Sequence, residues 1–535
     1  MAMTALDDLV GMDDPGLGVT RRARLELEGA PTIDTAGGYK GGRKDRRALR
    51  NYRPRAGSAD ADVLLDLPDL RGRSRDLARN TPVAAGAIVT TVTGVLGSGL
   101  ELQASIDHEA LGITAEQADV YEREQERLFR AFARRCDFTS VQCFDELQEL
   151  CLRAEHESGD ALIVRRWRKD PGDVFGTKLQ VVEADRLCNA NRAADTDTLA
   201  GGVEMTTHGV PLFYHVADKH PGSLRTQPTR WERIPARTPA GLPTVIHLFT
   251  RTRPDLTRGV PYLAGVIEHL KQISDYSDAE VTAAVVGAMM TVFVETPIDE
   301  DAEGNPAFGE KTNDPREVGL GNGAVVSLMP GEKANLVNPS RPNPQYDAFW
   351  KSFMCQVGVA LELPVELLIK HFTASYSASR AALEMAWQTF KRKRDRFAYR
   401  FCDEAYGWAM DEAVAMGLIS RPGYFADPMI RAAWLGAEWI GPPRFSLQPQ
   451  QEAAADEIDM RLGVKTGEQV CRERTGGEIE KKLPQRKKEL AMLPPSATQP
   501  APTQPPKADA ERRSGEDADD GDGERRDAAD ESEAA

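Results

Sequence analysis

Residues 259–295 (GVPYLAGVIEHLKQISDYSDAEVTAAVVGAMMTVFVE) constrain the chain more than any other stretch. Gly259 and Pro261 mark a helix start, since proline lacks only an N–H that the first helical turn leaves without a partner. Leu263, Val266, Ile267, Leu270 and Ile273 recur at three- and four-residue spacing and share one face. Glu268, Lys271, Gln272, Asp275 and Asp278 fall largely on the other. From Ala279 the character changes, and residues 283–294 are apolar almost all round, with small Ala and Gly mixed in. A helix that is apolar on every side needs packed neighbours on every side. One helix over 261–292 would span roughly 48 Å. That is long for a globular domain, so the stretch predicts burial partly against other copies of the chain. A long core helix inside one monomer is the alternative.

Charge is placed unevenly along the 535 residues, whose formal net charge is -16. Residues 507–535 hold five basic and twelve acidic side chains, and residues 40–55 hold eight basic ones against Asp45. A basic arm suits phosphate or an acidic partner and an acidic tail suits solubility, although both runs also read as solvated surface. Seven cysteines at scattered positions point to reduced thiols. The spacing of Cys136, Cys143 and Cys151, C-x6-C-x7-C, is not that of a zinc site and predicts small buried hydrophobes. The first residues lack a basic segment followed by an apolar one, so no secretory signal is expected. No membrane span is expected either, because the twelve residues 283–294 fall short of the ~18 a spanning helix needs.

Taken in order, residues 1–59 read as a basic flexible arm with little periodicity. Residues 60–77 resume helical spacing, and Thr81-Pro82 opens a second helix that stops at Gly97-Ser98-Gly99. This GxxGxG follows a helix rather than a strand, so it reads as a helix end and not as a dinucleotide loop. Residues 116–135 and 140–158 are helical. Short strands are expected at 161–167, 178–183, 202–206, 211–216, 230–234 and 245–249, giving an α+β domain with a mainly antiparallel sheet. Residues 296–342, rich in Pro, Gly, Asp and Asn, have the composition of a protruding loop or small β module, with strand-like stretches at 325–328 and 335–337. Helical spacing returns at 344–361, and Leu363-Pro364 breaks it. Residues 367–379 read as short and irregular. A long helix is expected over 380–417, and shorter ones over 427–439 and 450–463. Residues 493–535 lack core formers and read as a disordered acidic tail.

A search for chemistry finds little. There is no GxxxxGK[ST] loop, no HExxH and no GxSxG elbow. Asp299, Glu300, Asp301 and Glu303 lack the alternate spacing of a calcium loop. The sequence offers no positive case for catalysis, a cofactor or a metal.

Five stretches, in one order, carry a resemblance. They are 70–80 (LRGRSRDLARN) followed by Pro82, 95–100 (VLGSGL), 181–187 (VVEADRL), 247–261 (HLFTRTRPDLTRGVP) and 375–383 (SYSASRAAL). Together the chain from about 40 to 470 resembles the lambda family of tailed-phage portal proteins. The resemblance implies a helix-rich α+β portal fold and a dodecameric ring at one capsid vertex. DNA would be pumped through its channel by a separate terminase and leave by the same route. It also implies parts: 60–258 as wing, 259–295 as first stem helix, 296–342 as clip, 343–362 as second stem helix, 363–379 as tunnel loop, and 380–492 as spine and crown. Implied partners are the terminase large subunit, the major capsid protein and scaffold, a head-completion protein, and double-stranded DNA in the channel. The expected location is the virion vertex, after assembly in the cytoplasm of a bacterial host. The DNA-facing candidates are Lys370 and His371, with Thr373 and Ser375 beside them. The ring-interface candidates are Val285, Met289 and Val292. A scaffold or minor head protein, or a capsid-processing enzyme, is the alternative function.

Overall fold

The computed structural model describes residues 47–49, 51–54, 56–288, 292–295, 333–336, 345–372, 375–445, 448–475, 477 and 479–492. The described chain opens with α1 (Ala59–Val63), α2 (Leu67–Asn80) and α3 (Pro82–Leu96). Between the last two, Thr81 is extended and Pro82 starts α3, although the Thr81 side chain makes no capping bond. Gly97 ends α3 at φ +61, a conformation that favours glycine. β1 (Glu101–Ala104), α4 (His108–Leu111), α5 (Ala115–Ala133) and α6 (Phe144–Ser158) follow. A reciprocal cap starts α5: the Thr114 hydroxyl accepts from Gln117 N–H, and the Gln117 carboxamide accepts from Thr114 N–H.

Seven strands come next: β2 (Asp160–Trp167), β3 (Thr177–Val182), β4 (Leu199–Ala200), β5 (Val203–Met205), β6 (Pro211–Ala217), β7 (Trp231–Pro235) and β8 (Val245–Phe249). They form two antiparallel sheets, ordered β3-β2-β8 and β4-β5-β6-β7. β2 sits at the centre of the first sheet, buried on both faces. Its side chains alternate between two cores, as strand geometry requires. Ala161 and Ile163 join the helical core. Leu162 and Val164 join a second core with Val203, Tyr214, Val216 and Ile234 from the other sheet.

The remainder is α7 (Ile267–Ala288), β9 (Val292–Glu295), β10 (Lys333–Leu336), α8 (Tyr346–Ala360), α9 (Val365–Leu368) and α10 (Tyr376–Phe397). A single π turn, Ala398–Cys402, joins α10 to α11 (Asp403–Ala415). α12 (Pro428–Trp434), β11 (Ala437–Ile440), α13 (Pro449–Arg461), α14 (Gly467–Thr475) and α15 (Ile479–Met492) complete it. The fold is helix-rich α+β. Its main core joins α3, α6 and α10–α11, with Phe144 of α6 stacked on Phe401 of the π turn at 5.5 Å between centroids.

Three expected helices need correction. The helix expected over 261–292 begins with a short 3-10 turn, Ala264–Val266, and runs only from Ile267 to Ala288. Val292 lies in a strand paired antiparallel with β10, opposite Leu336, where its β-branched neighbourhood (TVFVE) favours extended backbone. The helix expected over 427–439 stops at Trp434. Gly436 lies against the chain at Ser105, whose carbonyl oxygen a Cβ would approach to 1.9 Å, and residues 437–440 pair with β1. This pairing ties the first helices to the last part of the described chain. The helix expected from 380 starts at Tyr376. The expected strand at 325–328 lies outside the described residues.

Candidate channel and assembly site

Three of the five resembling stretches converge on one carboxylate. Asp160 begins β2 and is 1 % exposed. Arg258 Nε donates to it at 2.5 Å and Arg71 Nη2 at 2.9 Å. His247 Nε2 donates at 3.2 Å. The two guanidinium groups also donate to backbone carbonyls, and Arg71 pairs with Asp185 as well. Arg258 reaches Leu187, Gly201 and Ala184, and Arg71 reaches Ser158 at 2.8 Å. Residues 70–80, 181–187 and 247–261 therefore meet at a single buried ion cluster. Burial works to raise the Asp160 pKa, but Arg258, Arg71 and the His247 bond overcome it and hold the carboxyl far below its usual range. Burial, reinforced by the neighbouring Arg258, lowers Arg71 to about 10.

Next to this cluster the chain entering α7 passes the end of α6 at contact distance. Gly159 has φ +92, and a Cβ on Gly259 would lie 1.9 Å from the Gly159 carbonyl oxygen. Only a glycine pair permits this crossing. It delivers Tyr262, whose N–H donates to His156 O at 2.9 Å. The ion cluster and the glycine crossing thus fix where α7 leaves the α+β body.

α7 and α8 lie side by side. Tyr276 stacks on Tyr346 at 5.7 Å, the Ser277 and Tyr346 hydroxyls are 2.8 Å apart, and the His269 and Phe353 rings are in contact. α7 leads out to β9, and β10 leads back to α8. Toward its far end α7 carries Val281 and Val285 on one face, 63 % and 52 % exposed. Val285 is thus an apolar side chain that the described residues leave half uncovered. Met289 lies outside the described residues. Val292 belongs to the strand rather than to the helix, so the three candidates do not share one helical face.

The return from α8 holds the DNA-facing candidates. Leu363 N–H donates to Gly358 O at 2.9 Å, and a Cβ on Gly358 would lie 2.6 Å from Leu363 O. Pro364 then opens the short α9, whose Leu368 is buried. Lys370 follows with φ +55, exposed, and His371 is exposed beside it with its N–H donating to Glu366 O at 3.0 Å. Ser375 is exposed and occupies the cap position of α10, its carbonyl accepting from Ser379 N–H at 2.9 Å, with no side-chain cap bond. Thr373 lies outside the described residues. Lys370, His371 and Ser375 therefore share one exposed turn between two helices. The φ of Lys370 was not legible in sequence, where no glycine marks it.

One cluster has the composition of a metal site: donor atoms of Glu183, Asp185 and His220 lie within 4.8 Å of one another. Arg75 and Arg71 already pair with Asp185. His220 Nδ1 accepts from Gly222 N–H at 2.9 Å, so its proton sits on Nε2, aimed at Asp185 at 3.3 Å. All three donors therefore already have partners in the chain. The cluster is an ion-pair network continuous with the one at Asp160. Among the described residues, no helix is long and apolar enough to cross a membrane.

Comparison with known proteins finds a match to the family described as phage portal protein, lambda family, over residues 45–394. Portal protein B of Escherichia phage lambda is 26 % identical over 476 residues, covering 84 % of this chain and 89 % of the relative. The portal protein of Escherichia phage N15 is 25 % identical, covering 82 % and 87 %. Among solved structures, a chain of the virion of a native gene transfer agent particle is 14 % identical with a TM-score of 0.42, covering 85 % of this chain and 98 % of that one.

Proposed function

Because the chain belongs to the lambda family of phage portal proteins, we propose that it forms a dodecameric ring at one vertex of a capsid. The ring is the channel through which double-stranded DNA is packaged and later ejected. Residues 60–258 are the wing, 259–295 the first stem segment, 296–342 the clip and 343–362 the second stem helix. Residues 363–379 are the tunnel loop, and 380–492 the spine and crown. The clip meets the terminase large subunit and then a head-completion protein, and the ring is built with the major capsid protein and scaffold in the cytoplasm of the bacterial host.

The observation that carries this reading is the geometry of α7 and α8. Two adjacent helices lead out to a β pair and back again, as a stem bearing a docking module would. The exposed Val281 and Val285 support a closed ring, because an apolar helix face with no partner among the described residues calls for one in a neighbour. The exposed turn at Lys370 supports a loop that faces the channel. One cation per subunit suits sliding, since each phosphate neutralised adds salt-dependent grip.

The test is Lys370→Glu. Lys370 makes no ion pair among the described residues and lies on the surface, so the ring should assemble as before. DNA protected from nuclease per capsid should fall. Equal protection, from capsids with normal portal content, would remove Lys370 from the contact.

A further inference from the structure

Beneath the root of this loop lies a buried amine. Lys393 on α10 places Nζ 4.3 Å from the centroid of the Tyr262 ring, and that nitrogen is buried without a hydrogen-bond partner among the described residues. The Tyr262 hydroxyl donates to the carbonyl of Leu361, the residue that caps the end of α8, and lies 3.5 Å from the Thr91 hydroxyl on α3. Lys393 therefore packs beneath the one phenol that ties the start of the stem to the root of the loop.

The charged and titratable groups around it are all engaged elsewhere. Glu362, next in the chain after Leu361, is held by Arg392 at 2.6 Å. Glu155 on α6 is held by Arg396 at 2.7 Å. His156 on α6 bonds Leu152 O at 2.7 Å, and burial, helped by Lys393 itself, drives its pKa down to about 3, so it stays neutral. Burial raises the Tyr262 phenol, which stays protonated. Among the described residues no free carboxylate faces Lys393, and two arginines, Arg392 and Arg396, lie close.

We infer that Lys393 is a positioning residue that couples the anchorage of residues 361–372 to its own charge state. Neutral, the amine stays packed on the Tyr262 ring and the Tyr262–Leu361 bond holds. Charged, it is drawn toward water, and the root of the loop opens more often. Burial, only partly offset by Glu362 and Glu155, lowers the Lys393 pKa to about 8 in the packed state. A lysine freed to water titrates near 10.5, so opening takes up a proton between these values. The opening equilibrium is then independent of pH below about 8 and falls tenfold per pH unit above it, until the solvated lysine also titrates.

Hydrogen exchange on the full chain tests this, between pH 6.5 and 10, after correction for the intrinsic chemical rate. The amides of Leu363, Leu368, Ile369 and His371 each donate to a backbone carbonyl within the segment or its root, and they report its opening. In the wild type their opening should be flat below pH 8 and fall tenfold per unit above. Lys393→Met, which is neutral at every pH, should be flat throughout with low opening. Lys393→Arg, charged at every pH, should be flat with high opening. A wild-type profile flat to pH 10, or a Lys393→Met profile that keeps the wild-type bend, would overturn the inference. The anchorage is independent of whether the loop meets DNA, because exchange is read on the isolated chain and packaging on capsids.

Discussion

Replacing Asp160 with Asn keeps the shape of the side chain and removes its charge. Arg258, 2 % exposed, then remains buried without a counter-charge, and Arg71, 4 % exposed, keeps only the longer pair with Asp185 at 3.5 Å. Breaking a buried pair by removing one partner costs about 3–5 kcal/mol. The asparagine still accepts one or two of the four N–H bonds that Asp160 receives, so the lower half of that range, about 3–4 kcal/mol, is the expected loss. Unfolding entropy grows with chain length, so for a chain of this length each kcal/mol moves the melting temperature by about 1 °C, which puts the shift at about 3–4 °C. Thermal unfolding followed by intrinsic fluorescence reads it, with Asp275→Asn as control. Asp275 pairs with Lys271 on the exposed face of α7, where water screens the pair and its loss should barely move stability. Adding Arg258→Met to Asp160→Asn removes the stranded charge and should recover part of the loss. The depressed Asp160 pKa fixes the pH window. Its contribution is fully present above the unfolded carboxylate value near 3.9 and is lost as pH falls below it toward the folded value. A shift under 2 °C at pH 7, no larger than the control, would refute the view that this cluster holds the body together.

Two further predictions concern pH and assembly. His156 is held neutral down to about pH 3, whereas the unfolded imidazole takes a proton near 6.5. Stability should therefore fall as pH drops below 6.5, by about 1.4 kcal/mol per unit at most, and a titration of melting temperature in which His156→Gln keeps the full wild-type slope would remove His156 as its source. Val285→Asp should leave the melting transition of the separated chain unchanged, because the side chain is 52 % exposed there. In sedimentation the same change should abolish the ring, since it would bury an unpaired charge at the interface, and an unaltered ring would take Val285 out of that interface.

What the sequence disclosed, and what it hid, follows from where each signal resides. The strands at 203–205, 211–217, 231–235 and 245–249 were legible because alternation and turn residues are local. The end of α7 was not. Residues 283–294 are apolar throughout, and an unbroken apolar run carries no period to separate helix from strand. β11 was hidden for another reason: its partner β1 lies more than three hundred residues earlier, and tertiary pairing overrode local helical spacing. Cys136 and Cys151 are buried as expected, while Cys143 is only partly so. At the candidate site, Lys370 and His371 were legible as polar residues between two helix signals. Asp160 and Lys393 were not, because their roles come from partners on distant segments: Arg258 is 98 residues from Asp160, and Lys393 rests on Tyr262.

The most direct measurement of the central claim is electron microscopy of the purified full-length chain in negative stain. A portal subunit whose α7 face closes on its neighbours should yield rings with an axial hole, seen end-on. Monomers only, or open filaments, would contradict the account.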